Sequence, residues 1–171
     1  FFNERTPSTV PPEITALAKT IAHNLLPADG SSPPEASVKP IADSFLSYLQ
    51  TTYPYSLSLD AVNKNLDPTV DFLLNRKAIG GHCEVFASAM VMLSRAVGIN
   101  ARVVTGFHGG DFNNLGGFYI VRQLHAHAWT EVYLPNRGWT RYDPSPISSD
   151  RASSFDSFTK WFREFVQVAQ Q

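Results

Sequence analysis

Apolar residues recur at helical spacing in four stretches before residue 100. In EITALAKTIAHNLL, which follows Pro11 and Pro12, the stripe is Ile14, Leu17, Ala18, Ile21 and Leu25, and ADGSSPP breaks it. A second stripe, Val38, Ile41, Phe45, Leu46 and Leu49, predicts a helix from about Glu35 to Thr51, with Pro40 early enough to be tolerated. YPYSLSLD reads as extended, and DPTVDFLLNRK as a short helix capped by Asp67 and started by Pro68. From Cys83 to Val97 the chain is apolar on most sides, through Phe86, Ala87, Met90, Val91 and Leu93, until Gly98 stops it. This stretch is the predicted central, most buried helix.

After Gly98 the period shortens. ARVVTGFH, GFYIVRQLH, HAWTEVYL and GWTRYD are short, β-branched and aromatic, and are separated by glycine-rich or polar turns. Such links favour an antiparallel sheet. A polar linker over 150–156 and an amphipathic helix in SFTKWFREFVQV close the chain. Helices first and strands afterwards predict an α+β domain in which the central helix packs on the sheet. The expected organisation is one domain over 1–171: a helical lead-in to residue 66, a core over 67–146, then the linker and last helix.

Composition narrows the possibilities. With 171 residues, 43% hydrophobic and 12% aromatic, the chain can bury a full core. Fourteen basic against fifteen acidic residues favour neither nucleic acid nor an anionic membrane surface. The single cysteine excludes an internal disulfide and any multi-cysteine metal cage. No stretch approaches the roughly 20 apolar residues of a membrane helix, and the FFNERTP start suggests a soluble piece of something larger.

That cysteine, Cys83, sits in GGHCEVFASAM, in the first turn of the central helix, where unpaired amides and the helix dipole favour an anion. Those amides would also hold an oxyanion, an effect worth about 3 to 4 kcal/mol per donor. Gly80 and Gly81 would leave room for a substrate backbone. In helical phase Cys83 shares a face with Phe86, Ala87 and Met90, and so should point at the sheet. Position alone leaves a buried, inert cysteine as credible as a reactive one.

A nucleophilic thiol needs a base, and the base needs a group that fixes its tautomer. In LHAHAWTEV, strand alternation puts His125, His127, Trp129 and Glu131 on one face. His127, deeper in the strand and flanked by alanines, is the better base, with Trp129 to shield it. His125 reads as a strand-face residue bonded to a neighbour. In RYDPSP the proline holds Asp143 extended at the exit of a strand, within reach of His127 if the two strands are neighbours. Cysteine at a helix start, histidine in one strand and aspartate ending the next make the order of an acyl-transfer triad.

The stretches GGHCEVFASAMVMLSRAVGINARVVTGFHGG and LGGFYIVRQLHAHAWTEVYLPNRGWTRYDPSP resemble the core of the bacterial transglutaminase-like family, within the papain-like cysteine-enzyme superfamily. The resemblance runs from about Asp67 to Pro146. It implies a transglutaminase/papain-like fold, with the nucleophile at Cys83, the base at His127 in A-H-A-W and the acid at Asp143 in Y-D-P. It also favours His127 over His125. Gly81, His82, Trp129 and Glu131 would shape the site, and Asn113 and Gly116 fall in a loop like the family's N-x-x-G-G. GINAR stands where relatives usually read G-I-P-A-R, a change that loosens a turn and touches no catalytic group.

The implied activity is thiol acyl transfer on a glutamine side-chain amide of a protein or peptide, with an amine as acceptor and no cofactor. The backbone N–H of Cys83 would be the first oxyanion donor, with a second expected from Tyr53 to Tyr55. Water as acceptor would make the protein a peptidase or amidase instead. Relatives place such a domain on the outer, periplasmic side of a bacterial inner membrane, so contact with the membrane is expected only through other parts of a longer protein. Two rival readings remain: a zinc module drawing on His82, Cys83, His108, His125 and His127, and a domain that only binds peptides. No close ligand pair such as C-x-x-C supports the zinc reading, and it leaves Asp143 idle.

Overall fold

The computed structural model describes residues 10–57, 63 and 65–146. The predicted linker, the last helix and part of YPYSLSLD lie outside them. Four helices come first: α1 (Pro12–Ile21), α2 (Glu35–Thr52), α3 (Pro68–Asn75) and α4 (Cys83–Ala96). The first stripe does not continue as one α-helix to Leu25; it gives way to a 3-10 turn over His23–Leu25. Asp67 caps α3 as expected, accepting the amides of Thr69 and Val70 at 2.8 and 3.2 Å, and Pro68 follows where no amide is needed.

Five strands follow: β1 (Ala101–Phe107), β2 (Asp111–Asn113), β3 (Phe118–Ile120), β4 (Ala126–Leu134) and β5 (Gly138–Tyr142). An antiparallel sheet is ordered β1-β4-β5, while β2 and β3 form a separate hairpin. This corrects the expected strand over GFYIVRQLH. Only Phe118–Ile120 is strand, and Gln123–His125 is a 3-10 turn. The polar residues turn the chain: His125 Nδ1 accepts the amide of Arg122 at 2.9 Å, and the Arg122 guanidinium pairs with Asp111 across the hairpin. Asn113 builds the hairpin's own turn, its Oδ1 accepting the amides of Leu115 and Gly116 at 3.0 and 2.9 Å.

Helix α4 lies between α1, α2 and α3 on one side and β1 and β4 on the other. Its Phe86, Ala87, Ala89, Met90 and Leu93 are fully buried. On β4 the alternation is clear. Ala128, Thr130 and Val132 are buried towards α4, and the Thr130 hydroxyl donates to the Ala87 carbonyl at 3.0 Å. His127, Trp129 and Glu131 alternate with them. This helix-on-sheet joint sets where the two chains of chemistry meet.

Candidate active site

The approach to α4 is held by the chain itself. Tyr53 packs its ring 4.4 Å from that of Phe72, which lies 4.9 Å from Phe86, and its hydroxyl donates to the Leu73 carbonyl at 2.7 Å. Residues 54–56 then run beside Gly81: Gly81 N–H donates to Pro54 O at 3.3 Å, and Ser56 N–H to Gly81 O at 2.8 Å. Gly80 has φ +78°, and a Cβ there would fall 1.8 Å from the Pro54 carbonyl; one on Gly81 would lie 3.1 Å from the Phe72 ring. Gly80 therefore admits the Pro54 carbonyl and Gly81 the Phe72 ring, so the space the two glycines were expected to leave for a substrate backbone is taken by the chain itself. Buried Arg76 locks the turn, its Nε donating to Gly80 O at 3.0 Å.

Cys83 opens α4 as its first helical residue and is buried, packed with Ala87, Ala128 and Tyr55. It points at the sheet, as its helical phase predicts. As the first two helical residues, Cys83 and Glu84 have no carbonyl a turn behind them, so their amides form the positive end of α4.

His127 is the second residue of β4, at the end of the sheet where the helix begins, rather than deep in the strand. Its Nε2 lies 2.6 Å from Oδ2 of Asp143, with only 8% of the histidine side chain exposed. The imidazole and the Cys83 thiol shift each other's pKa, and with Nε2 engaged by Asp143 the ring nitrogen left to act on the thiol is Nδ1. Register explains the meeting. Tyr142 lies opposite Thr130, so Asp143, one residue on, comes level with Trp129 and diagonal to His127. Asp143 is fixed in turn: its carbonyl accepts from Gln50 of α2 at 2.9 Å, and its Oδ1 accepts the Ser145 amide at 3.3 Å.

These contacts set the charges. Burial pushes the Cys83 thiol up, but hydrogen bonds from His127, from His82 and from the Ala128 backbone outweigh it and bring the thiol down to about 6. Burial lowers His127, yet its bonds to Asp143 and to Cys83 raise it to about 9. Between those values the stable form is a thiolate beside an imidazolium.

The other expected residues divide. His82, buried at the cap of α4, helps lower the pKa of the thiol. Trp129 joins the site, its ring centroid 6.4 Å from that of His127 and the Arg141 guanidinium 4.4 Å above it. Glu131 does not: it pairs with Arg102 at 2.7 Å, further along β4. His125 is not on the strand at all, having been drawn into the 3-10 turn. Of the segment expected to supply a second oxyanion donor, the Tyr53 hydroxyl and amide are engaged elsewhere and Pro54 has no amide, so Tyr55 is the residue that reaches the cysteine.

Sequence reasoning missed Gln50 and Gly106. Gly106 faces His127 across β1 and β4, and a Cβ on it would lie 2.8 Å from the Trp129 indole, so the glycine gives that ring its place. A glycine inside a β-branched run was the available signal. The imagined zinc set is also redrawn: among the described residues, His108, His127 and Asp143 gather donor atoms within 4.8 Å of one another, without His82, Cys83 or His125.

A buried cysteine on a helix N-terminus, electrostatically coupled to a histidine that an aspartate holds from the neighbouring strand, defines a class of fold and site. The chain belongs to the transglutaminase-like superfamily, whose family model matches residues 28–144. It is 39% identical over 92 residues to a protein-glutamine gamma-glutamyltransferase of Pseudomonas aeruginosa, covering 54% of this chain and 14% of that protein. It is 37% identical over 113 residues to the uncharacterized protein YebA of Bacillus subtilis, covering 63% of this chain and 15% of that one. The fold is similar to the periplasmic domain of TgpA from P. aeruginosa, with TM-score 0.65, 26% identity, and coverage of 91% of this chain and 49% of the other. A second structure of that domain, bound to ethylmercury, gives TM-score 0.62 and 31% identity, with coverage of 87% and 48%. The matched region is thus about a seventh of the length of the curated relatives and about half of the TgpA periplasmic chains.

Proposed function

We propose that this chain is the catalytic module of a cysteine acyltransferase that takes the γ-carboxamide of a protein or peptide glutamine as donor and a primary amine as acceptor. The observation that carries the reading is the 2.6 Å contact of His127 with Asp143 beside a buried Cys83, with the thiol lowered to about 6 and the imidazole raised to about 9. Family membership supports the chemistry, and the P. aeruginosa relative's name supports the donor.

The steps follow from the geometry. The Cys83 thiolate attacks the amide carbon, and the oxyanion that forms is met by the Cys83 amide at the head of α4. His127 gives its Nδ1 proton to the departing nitrogen, so ammonia leaves and a thioester remains. An amine enters, His127 takes its proton, and the new amide leaves as the thiolate returns. Asp143 holds the ring through Nε2 and stabilises the imidazolium in both halves. Trp129 covers the imidazole beside it.

No helix among the described residues is long and apolar enough to cross a membrane. We assign the module to the periplasmic side of a bacterial inner membrane, following the TgpA domains it resembles. The test is incorporation of a fluorescent primary amine into a glutamine-rich acceptor protein, scored against ammonia released in its absence. Amine-dependent product that disappears in Cys83→Ser supports the reading. Ammonia release unaffected by amine, with no incorporation, replaces it with a hydrolase.

A further inference from the structure

Taking the site as proposed above, one neighbour has no part in the reaction: His108, which follows β1. Its amide donates to the His125 carbonyl at 2.7 Å, and this places its ring beside the start of β4, with the centroid 5.5 Å from that of His127. His108, His127 and Asp143 each bring a donor atom to within 4.8 Å of the others. Two imidazoles and a carboxylate with an open fourth position are a donor set that suits zinc and leaves magnesium and calcium poorly served.

We propose that His108, His127 and Asp143 form an inhibitory zinc site, in which Zn2+ holds the catalytic pair in an unreactive arrangement. Tetrahedral bonds of about 2.0 to 2.2 Å set donors roughly 3.4 Å apart. The His127–Asp143 contact, now 2.6 Å, must therefore open by less than an ångström, and the His108 ring must swing in. His108 is exposed, and it precedes Gly109 at φ +84°, whose Cβ position has nothing within 4 Å. Asp143 keeps its Gln50 anchor through the backbone carbonyl while its carboxylate turns to the metal.

The consequence follows from the atoms taken. With zinc on Nε2 of His127, the proton that atom shared with Asp143 is released to solvent, and Asp143 no longer sets the ring's tautomer. Cys83 lies outside the metal group and is left without its working base. Inhibition is reversible, because no covalent bond forms.

The experiment titrates the whole chain with zinc chloride by calorimetry, in the wild type, His108→Ala and Cys83→Ser. Amine transfer is followed with and without zinc, and after EDTA. The site predicts one zinc per chain, unchanged binding in Cys83→Ser, and affinity at least about tenfold weaker in His108→Ala. It also predicts zinc-inhibited transfer that EDTA restores, with no effect of magnesium or calcium. Binding lost in Cys83→Ser and intact in His108→Ala would overturn the site in favour of the thiol, and absence of stoichiometric zinc binding would overturn it outright. A metal-free protein that binds zinc as predicted but transfers no acyl group would instead sink the proposed function and leave the metal site standing.

Discussion

The molecule holds two histidine–aspartate pairs whose histidines are two residues apart and almost equally enclosed, at 10% and 8% side-chain exposure, yet the pairs differ in length, in the exposure of the carboxylate and in what surrounds them. His125 Nε2 lies 3.7 Å from Asp111 Oδ1 on the β2–β3 hairpin, with half the carboxylate side chain in water and Arg122 competing for it. His127 Nε2 lies 2.6 Å from Asp143 at the junction of α4, β4 and β5, and the imidazole is almost wholly enclosed. Identical residue types give a long pair around a half-exposed carboxylate in one place and a short pair around a more enclosed carboxylate in the other. The difference is supplied by three converging elements: the helix that brings Cys83, the strand register that brings Asp143, and α2, whose Gln50 holds it.

The largest expected effects set one pair against the other. Asp143→Asn, which keeps the shape and misplaces the proton, should lower kcat/KM for amine transfer by about 10²- to 10⁴-fold, and His127→Ala and Cys83→Ser by about 10³-fold or more. Asp111→Asn and His125→Ala should change it less than about twofold, since the half-exposed Asp111 carboxylate is shared with Arg122 and neither residue touches the proposed reacting groups. Equal losses from Asp111→Asn and Asp143→Asn would break the distinction.

A second contrast lies in pH. Below about 6 the Cys83 thiol gains a proton and loses nucleophilicity; above about 9 His127 loses the proton it must give to the leaving nitrogen. Transfer should therefore be bell-shaped, with a plateau between those limits that belongs to the coupled pair. His125→Ala should leave both limbs where they are, which stopped-flow or initial-rate profiles would check.

Gly106→Val tests the roof of the inner pair. The added side chain meets the Trp129 ring, so overpacking should cost about 1 to 3 kcal/mol in thermal or urea unfolding and roughly tenfold in transfer. Thr130→Val removes the hydroxyl that ties β4 to the Ala87 carbonyl, and should cost about 1 kcal/mol of stability in urea titration. At the hairpin, Leu115 is fully exposed, and Leu115→Ser should move stability by less than about 0.5 kcal/mol.

The same contrast explains what the sequence disclosed. The α4 stripe, the Asp67-Pro68 cap and the alternation of β4 are local patterns, and they placed the helix, the sheet and the facing of Cys83. Cys83, His127 and Asp143, the proposed triad, were legible because each sits at an element's edge, where its neighbours betray the geometry. His125 was misplaced because alternation continues through LHAHAW, whereas Arg122 and Asp111 turn the chain before Ala126. Glu131 was drawn into the site by a motif, but Arg102 on the adjacent strand claims it. The hold of Gln50 on Asp143 depends on a residue far away in the chain, and no local pattern reports such a contact.

The central claim is that Cys83 is a thiolate at neutral pH because His127 makes it one, and iodoacetamide alkylation of Cys83 against pH tests it most directly. In the wild type the rate should rise through a limb near 6, and in His127→Ala that limb should move up towards the ordinary cysteine value of about 8.5. An ordinary limb in both proteins, or a wild-type thiol that labels only after denaturation, would contradict it.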